Sequence, residues 1–409
     1  MFASIILLCI FIFFIILQFV SRRPKNFPPG PPVLPILGNL LNMSLENPLE
    51  DFEKLRKSYG NVYRVILADY GSGWRDHRRF ALTTLRNFGL GKNSMEDRIH
   101  EELKYTINTL EKSIDKSLSP QRMFHNAASN IICQVVFGTR FDYEDEFIKV
   151  IVQCFTENAK ISNGPWAMLY DSLPMIRYLP LPFNKAFENV KRGDDGSSFS
   201  EEHLIMNALD LHFAGTDTTS NTLLTGFLYL MTYPHIQERC QQEIDEVLEG
   251  KDRATFDDRN NMPYVQAVIH EVQRIANTVP LSVFHCTTKD TELMGYVIPR
   301  GTLIIPNLTS VLNEEGQWKF PNEFNPENFL NDQGEFVKPE AFMPFSTGPR
   351  MCLGESLARM ELFLIVVTLL RKFNFIWPED AGEPDYTPVY GVTLTPKPYL
   401  MKVQLRATQ

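Results

Sequence analysis

One cysteine has neighbours that suit it to chemistry. The segment 345–354 reads FSTGPRMCLG and runs directly into an apolar helical pattern, so Cys352 stands near the start of a helix. The free N–H groups and partial positive charge of a helix N-terminus stabilise a thiolate. Gly348 and Gly354 allow positive φ or a close approach to a flat ligand. Such a sulfur can be the single protein ligand of a haem iron, whereas a structural zinc needs four ligands.

Arg350 lies two residues before the sulfur, where its cation can meet an anionic group of the same ligand. The pattern Phe-x-x-Gly-x-Arg-x-Cys-x-Gly resembles the haem-binding signature of the cytochromes P-450. The alternative is a buried structural cysteine, and further motifs of the same family argue against it. The resemblance implies a mainly α fold with a minor β region, preceded by a single N-terminal transmembrane helix. It also implies haem b, held by Cys352 with Arg350 beside it.

A second motif lies in the longest helical pattern, over residues 200–231. Residues 214–219 read AGTDTT, and glycine, threonine and aspartate are poor helix formers that predict a local kink and a polar notch. The motif resembles the oxygen-activation sequence of the family, which makes Asp217 the catalytic acid and Thr218 the catalytic alcohol. The alternative is a packing irregularity. His212, one turn earlier, is interpreted as a hydrogen-bonded core residue and not as an iron ligand.

Three further residues are candidate haem contacts. Trp74 and Arg78 are four residues apart and would share one face of a helix. The pair resembles the family's Trp-x-x-x-Arg, in which both side chains meet a haem propionate. An exposed arginine beside a core tryptophan is the alternative. His285 falls where related microsomal members place another propionate contact.

A Glu-x-x-Arg pair is predicted to brace the core. Glu271 and Arg274 lie on one helix face, and such pairs are usually solvated. Here they match the family's buried pair beneath the haem, with a partner segment that contains Asn328. The family often has arginine at that position, and an amide there could still bond to Arg274.

The N-terminus predicts a membrane anchor. Residues 3–20 are almost wholly apolar, and the basic residues follow the run at Arg22, Arg23 and Lys25. A cleaved signal peptide would carry its positive charge before the run. The length suits a membrane-spanning helix, and the charge leaves the rest of the chain in the cytosol. We therefore predict an anchor over 1–21, a basic, Pro-rich linker over 22–38 and a haem-thiolate monooxygenase domain over 39–409.

Composition narrows the class of protein. The chain has 409 residues, 44% of them hydrophobic, with a net charge of −9, which argues against nucleic-acid binding. Its six cysteines show no C-x-x-C spacing, which indicates free thiols in a reducing compartment.

Helical periodicity predicts helices over 48–59, 93–117, 119–137, 263–276 and 356–373 besides the long one. Residues 61–67 predict a strand, and 287–309 and 389–403 predict short strands with turns.

Two segments of the family pattern are missing from the chain. Relatives carry a strand, a helix and a long loop between the counterparts of Leu67 and Gly73. A helix that begins at 184 breaks at 193–198, and its remainder and the next helix are also absent.

The resemblance is strongest to the animal family-2 microsomal monooxygenases. It implies oxidation of a fatty acid, steroid or xenobiotic at the endoplasmic reticulum membrane. Electrons would come from NADPH through cytochrome P-450 reductase, with cytochrome b5 as a further partner. Two alternatives are a shortened, inactive isoform or gene-model product that still binds haem, and a haem enzyme that rearranges an oxidised lipid. The Asp217–Thr218 pair argues against the latter.

Overall fold

The computed structural model describes residues 26–31, 48–64, 93–143, 145, 201–391 and 393–406. The predicted anchor over 1–21, most of the linker, and the candidate haem contacts Trp74 and Arg78 lie outside these residues. Within the described ranges, no helix has both the length and the apolar character that crossing a membrane requires.

The described residues are mainly helical. The α-helices are α1 (Pro48–Tyr59), α2 (Asn93–Glu111), α3 (Gln121–Val136), α4 (Glu201–Thr232), α5 (Pro234–Val247), α6 (Pro263–Ala276), α7 (Leu308–Asn313) and α8 (Glu355–Lys372). Short 3₁₀ helices cover Phe256–Asn261, Pro326–Phe329 and Gly348–Arg350. These bounds confirm the predicted helices, most of them to within two residues.

The β structure consists of small antiparallel pairs. The strands are β1 (His285–Cys286), β2 (Thr291–Leu293), β3 (Tyr296–Ile298), β4 (Leu303–Ile304), β5 (Phe373–Ile376), β6 (Pro388–Tyr390), β7 (Leu394–Pro396) and β8 (Lys402–Leu405). They pair as β1–β4, β2–β3, β5–β8 and β6–β7. A mainly α fold with a minor β region is therefore confirmed for the described residues.

The chain divides into two compact units. The described part of the first unit comprises residues 26–31, 48–64 and 283–306. The described part of the second comprises 93–143, 145, 201–282, 307–391 and 393–406. Cys352, Asp217 and Thr218 belong to the second unit, and His285 belongs to the first.

Helix α4 lies at the centre of the second unit. It packs against α3, α5, α6 and α8 and against strands β5 and β7. The ring of Phe227 on α4 lies 5.0 Å from that of Phe124 on α3 and 4.6 Å from that of Phe375 on β5. Burial of large aromatic rings contributes strongly to a core. Helix α4 is thus held from several sides, which suits it to positioning a chemical motif.

The predicted strand over 61–67 is wrong for residues 61–64, which form a bend and an extended segment outside any sheet. The amide of Arg64 donates to the carbonyl of Pro29 at 2.8 Å, and its Nη1 donates to that of Pro28 at 2.9 Å. Arg64 therefore bonds to a proline-rich segment and not to a neighbouring strand. Prolines offer no N–H with which to continue a ladder.

One helix prediction also needs correction. Helix α2 ends at Glu111 and not at residue 117, because the chain turns back there and Leu118 pairs with Met401.

Residues 214–219 are α-helical within α4. The hydroxyl of Thr218 donates to the carbonyl of Ala214 at 2.7 Å. Back-bonding to the preceding turn accommodates threonine within a helix.

Candidate active site

The loop before α8 holds its cysteine by local hydrogen bonds. The amide of Cys352 donates to the carbonyl of Phe345 at 2.9 Å, and that of Met351 donates to the carbonyl of Gly348 at 3.1 Å. Gly348 has φ +74°, a region that residues with a Cβ rarely adopt. A Cβ on Gly354 would lie 3.9 Å from the sulfur of Cys352. The loop therefore presents an exposed thiol, outside any disulfide, within three residues of the start of α8.

Helix α8 is hydrogen-bonded to helix α6 through Arg359. Arg359, on the second turn of α8, pairs with Glu355, and its Nη1 lies 2.7 Å from Nε2 of His270 on α6. Burial is the main cause that lowers the pKa of His270, to about 3. The imidazole is therefore neutral at pH 7, and its Nε2 can accept from the guanidinium because Nδ1 donates to Gln266. This contact fixes the helix that carries the cysteine loop.

The Glu-x-x-Arg pair on α6 is buried as predicted. Both side chains are 0% exposed, and Arg274 Nε donates to Glu271 Oε2 at 2.7 Å. Arg274 also donates to backbone carbonyls between residues 312 and 323. Asn328 donates to Glu271 at 3.1 Å, so the sequence-based suggestion that its amide binds Arg274 is wrong. An arginine offers only donors, and the Asn328 oxygen already accepts from Phe320.

One face of α4 opens at the second motif. Asp210 and Ala214 are exposed and Thr218 is partly exposed, although Leu223, Leu224 and most of the helix after them are buried. Residues four apart lie on one helix face. A small side chain and a hydroxyl are therefore accessible on this face.

The side chain of Asp217 contacts residues outside α4. Its Oδ2 accepts a hydrogen bond from the hydroxyl of Thr393, which in turn accepts from Nδ2 of Asn221 at 3.1 Å. Its Oδ1 lies 3.6 Å from Nε2 of His125 on α3. The carboxylate and the Thr218 hydroxyl are adjacent in the chain but have different partners. The Asp217 carboxylate is contacted by two other side chains, those of Thr393 and His125.

His212 is a core residue, as predicted. It is 1% exposed, and its Nε2 lies 2.9 Å from the hydroxyl of Ser129 on α3. Burial lowers its pKa to about 4, so it is neutral at pH 7. Its place in the interface between α3 and α4 accounts for its burial.

A family model described as Cytochrome P450 matches residues 64–195 and 191–403. The chain belongs to the cytochrome P450 family. Membership in this family of haem monooxygenases makes the chain an oxidoreductase of that class.

Named P450 relatives span most of the chain. Cytochrome P450 2D14 from Bos taurus is 36% identical, over 95% of this chain and 95% of the relative. Cytochrome P450 2J2 from Homo sapiens is 37% identical, over 88% of each. Cytochrome P450 2B4 from Oryctolagus cuniculus is 34% identical, over 98% of this chain and 99% of the relative. These matches confirm the resemblance to the animal family-2 enzymes.

The P450 alignments contain gaps on the side of this chain. The alignment with the bovine relative runs over 476 positions, and the chain has 409 residues, so at least 67 positions (476 − 409) are gaps. The two pieces of the family match meet at residues 191–195. That is where the sequence breaks its helical pattern. Both observations agree with a chain that is shorter than its relatives inside the matched region.

The described residues fit the P450 cofactor on the cysteine side. A haem iron that takes one protein ligand needs an accessible sulfur, and Cys352 is exposed. Arg350 lies in the 3₁₀ turn two residues away and is partly exposed. His285 lies in the first unit, on β1, where it pairs with Ile304 of β4.

Two residues beside the second motif were not predicted from the sequence. Glu361 on α8 is 1% exposed, and burial is the main cause that raises its pKa to about 8, opposed by a hydrogen bond with Thr219 on α4. His125 contacts Asp217. Glu361 directly precedes the apolar run Leu362–Leu364. An acid beside such a run is a signal that could have identified it. No local signal marks His125, because its partner lies 92 residues away.

Proposed function

We propose that the chain is a haem-thiolate monooxygenase that inserts one atom of O₂ into a lipophilic small molecule such as a fatty acid, steroid or xenobiotic. Electrons would come from NADPH through cytochrome P-450 reductase, with cytochrome b5 as a second partner. The observation that carries the proposal is the exposed Cys352 on its glycine-containing loop at the start of α8. Family membership supports the reaction class.

In this proposal the chain's residues have separate tasks. Cys352 binds the iron of haem b as a thiolate, and the positive end of α8 favours that charge. Arg350, Trp74, Arg78 and His285 would hold the propionates by charge and hydrogen bonding. The haem supplies oxygen activation when it is bound, and the thiolate's electron donation favours O–O cleavage.

Asp217 and Thr218 are the proposed acid and alcohol of proton delivery. A proton held at Asp217 would pass by way of ordered water to the open face of α4 beside Thr218. The Thr393 hydroxyl orients the carboxylate by donating to Oδ2. The Thr218 hydroxyl donates to Ala214 and keeps its lone pairs available to accept from water.

The proposed location is the endoplasmic reticulum membrane, with the monooxygenase domain over 39–409 in the cytosol. The apolar run over 3–20 and the basic residues after it support this placement. The linker over 22–38 would separate the anchor over 1–21 from the domain.

Carbon monoxide difference spectroscopy of the reduced, membrane-expressed protein tests the proposal. We expect the red-shifted band of a thiolate-ligated haem. Cys352→Ala should abolish that band, whereas Cys286→Ala, which removes another exposed cysteine, should retain it. Retention of the band in Cys352→Ala would show that the ligand assignment is wrong. The absence of a haem signal in the unaltered chain would overturn the proposal.

A shortened, inactive protein that still binds haem is the second candidate. The gaps in the P450 alignments favour it. Missing segments would expose apolar surface and lower the free energy of unfolding, which is small in any domain. NADPH consumption and product formation with added reductase separate the two candidates. A thiolate band without turnover on any of the three substrate classes would favour the inactive candidate.

A further inference from the structure

His125 is held so that one ring nitrogen faces the proposed acid. Its Nδ1 lies 2.9 Å from the carbonyl oxygen of Gln121, one turn earlier on α3. A carbonyl only accepts, so Nδ1 must carry a hydrogen. Nε2 is then the nitrogen that gains and loses a proton, and it lies 3.6 Å from Oδ1 of Asp217. The tautomer is determined by the backbone contact.

Asp217 is arranged to receive that proton on a defined oxygen. Its Oδ2 accepts from Thr393, which is itself fixed by Asn221 on the next turn of α4. Oδ1 faces His125. The two carboxylate oxygens therefore have different roles, one anchored and one facing an imidazole.

The imidazole and the carboxylate are both partly accessible to solvent. The side chain of His125 is 25% exposed and that of Asp217 is 27% exposed. By contrast, His270 makes the same contact with the carbonyl four residues earlier, but it is 8% exposed and its Nε2 lies 2.7 Å from the Arg359 guanidinium. The same local geometry thus serves a structural purpose at His270 and leaves His125 beside an acid.

We propose that His125 supplies protons to Asp217 and positions its carboxylate. In the step, the Nε2–H bond of the imidazolium breaks and its proton moves to Asp217 Oδ1 after a small side-chain rotation or through one water. The neutral imidazole keeps its Nδ1–H on Gln121 and is reprotonated by a hydronium ion of the bulk solvent, which becomes water. This inference rests on the proposed role of Asp217 in oxygen activation.

The first experiment measures coupling in the full-length enzyme with reductase and NADPH. His125→Gln keeps a polar side chain that can reach Asp217 but cannot carry a proton. We expect peroxide released per NADPH to rise by about two-fold or more, with KM little changed and a larger solvent isotope effect on product formation. His235→Gln, at an exposed position on α5, is the control and should leave all three quantities unchanged. Unchanged coupling in His125→Gln would overturn the inference.

The second experiment does not depend on turnover. Thermal unfolding of the haem-loaded protein is compared for His125→Gln, Asp217→Asn and the double variant. If the two side chains interact, His125→Gln should lower the Tm in the unaltered background and have a smaller effect when Asp217 is already neutral. Additive shifts in Tm would mean that the contact carries no energy and would overturn the inference.

The two experiments separate this inference from the function on which it rests. If the unaltered chain turns over and His125→Gln is equally well coupled, only the role of His125 is lost. If the unaltered chain lacks the thiolate band, both the proposed function and the proton supply by His125 are overturned. Increased peroxide together with non-additive Tm shifts would support the inference.

Discussion

The cysteine loop and the middle of α4 are built in different ways. In the cysteine loop, the amides of Cys352 and Met351 donate to carbonyls of the same segment, 345–354. Around Asp217, the contacts come from His125 on α3 and from Thr393, which lies 176 residues away in the chain. A loop with internal hydrogen bonds can be recognised as a motif, whereas an acid positioned by distant elements depends on how the helices pack. The comparison indicates that the proposed iron ligand belongs to a locally recognisable motif, whereas the proposed acid is positioned by partners from distant parts of the chain.

Removal of Arg274 is the largest expected perturbation and tests how local the cysteine loop is. Arg274→Ala leaves Glu271 buried without its cation, and breaking a buried pair costs about 3–5 kcal/mol. We expect a large drop in the thermal midpoint and loss of assembled haem protein. The exposed pair of Arg239 and Glu327 is the control, since Arg239→Ala should cost less than about 1 kcal/mol. An intact thiolate band in Arg274→Ala would mean that the loop forms without this support.

Glu361 joins the two regions, because it lies on α8 and bonds to Thr219 of α4. Its pKa is about 8 in the folded chain and near 4.5 when unfolded, so between these values the unfolded state alone loses the proton. Its contribution to stability is therefore greatest below about pH 4.5 and falls as pH rises towards 8, by about 1.4 kcal/mol per unit. Glu361→Gln should remove this slope.

The difference between the thermal midpoints of the unaltered chain and Glu361→Gln, followed from pH 5 to 8, measures the effect. Other titrating groups are common to both proteins and cancel in the difference. A difference that does not change with pH would mean that Glu361 titrates normally.

Gly348→Ala tests the loop alone. The substitution places a Cβ at φ +74°, where nothing lies within 4 Å, so the cost is backbone strain of about 1 kcal/mol. Gly354→Ala is the matched control, because a Cβ there meets only the cysteine sulfur at an ordinary contact distance of 3.9 Å. We expect a lower Tm for Gly348→Ala than for Gly354→Ala. Equal values would show that the positive φ is not required.

Thr218→Ala tests the α4 region alone and should have the smallest effect on stability. The lost hydroxyl bonds only within its own helix, to Ala214, so the fold should change by less than about 1 kcal/mol. The variant should consume NADPH and release more peroxide per product, because the proposed route loses an acceptor for water. Unchanged coupling would remove Thr218 from that route.

Local patterns predicted much of this protein. Helical periodicity located α1, α3, α4, α6 and α8 closely, and the resemblance identified Glu271 and Arg274 as a buried pair. Predictions failed where a distant segment intervened. Residues 61–64 do not form the expected strand, since Arg64 bonds to a proline-rich segment, and Asn328 bonds to Glu271 and not to Arg274. Propensity describes a residue's own backbone, and it does not include partners that arrive from elsewhere in the chain.

The sequence by itself determined the candidate ligand, since the spacing of glycines, arginine and cysteine around Cys352 depends only on neighbouring residues and on the helix that follows. It also determined that Asp217 and Thr218 belong to one helix. Only the tertiary structure decided that Asp217 faces His125, that Thr393 anchors it and that Glu361 is buried against Thr219. The physical reason is that hydrogen-bond geometry and desolvation depend on distances between helices, which packing alone establishes.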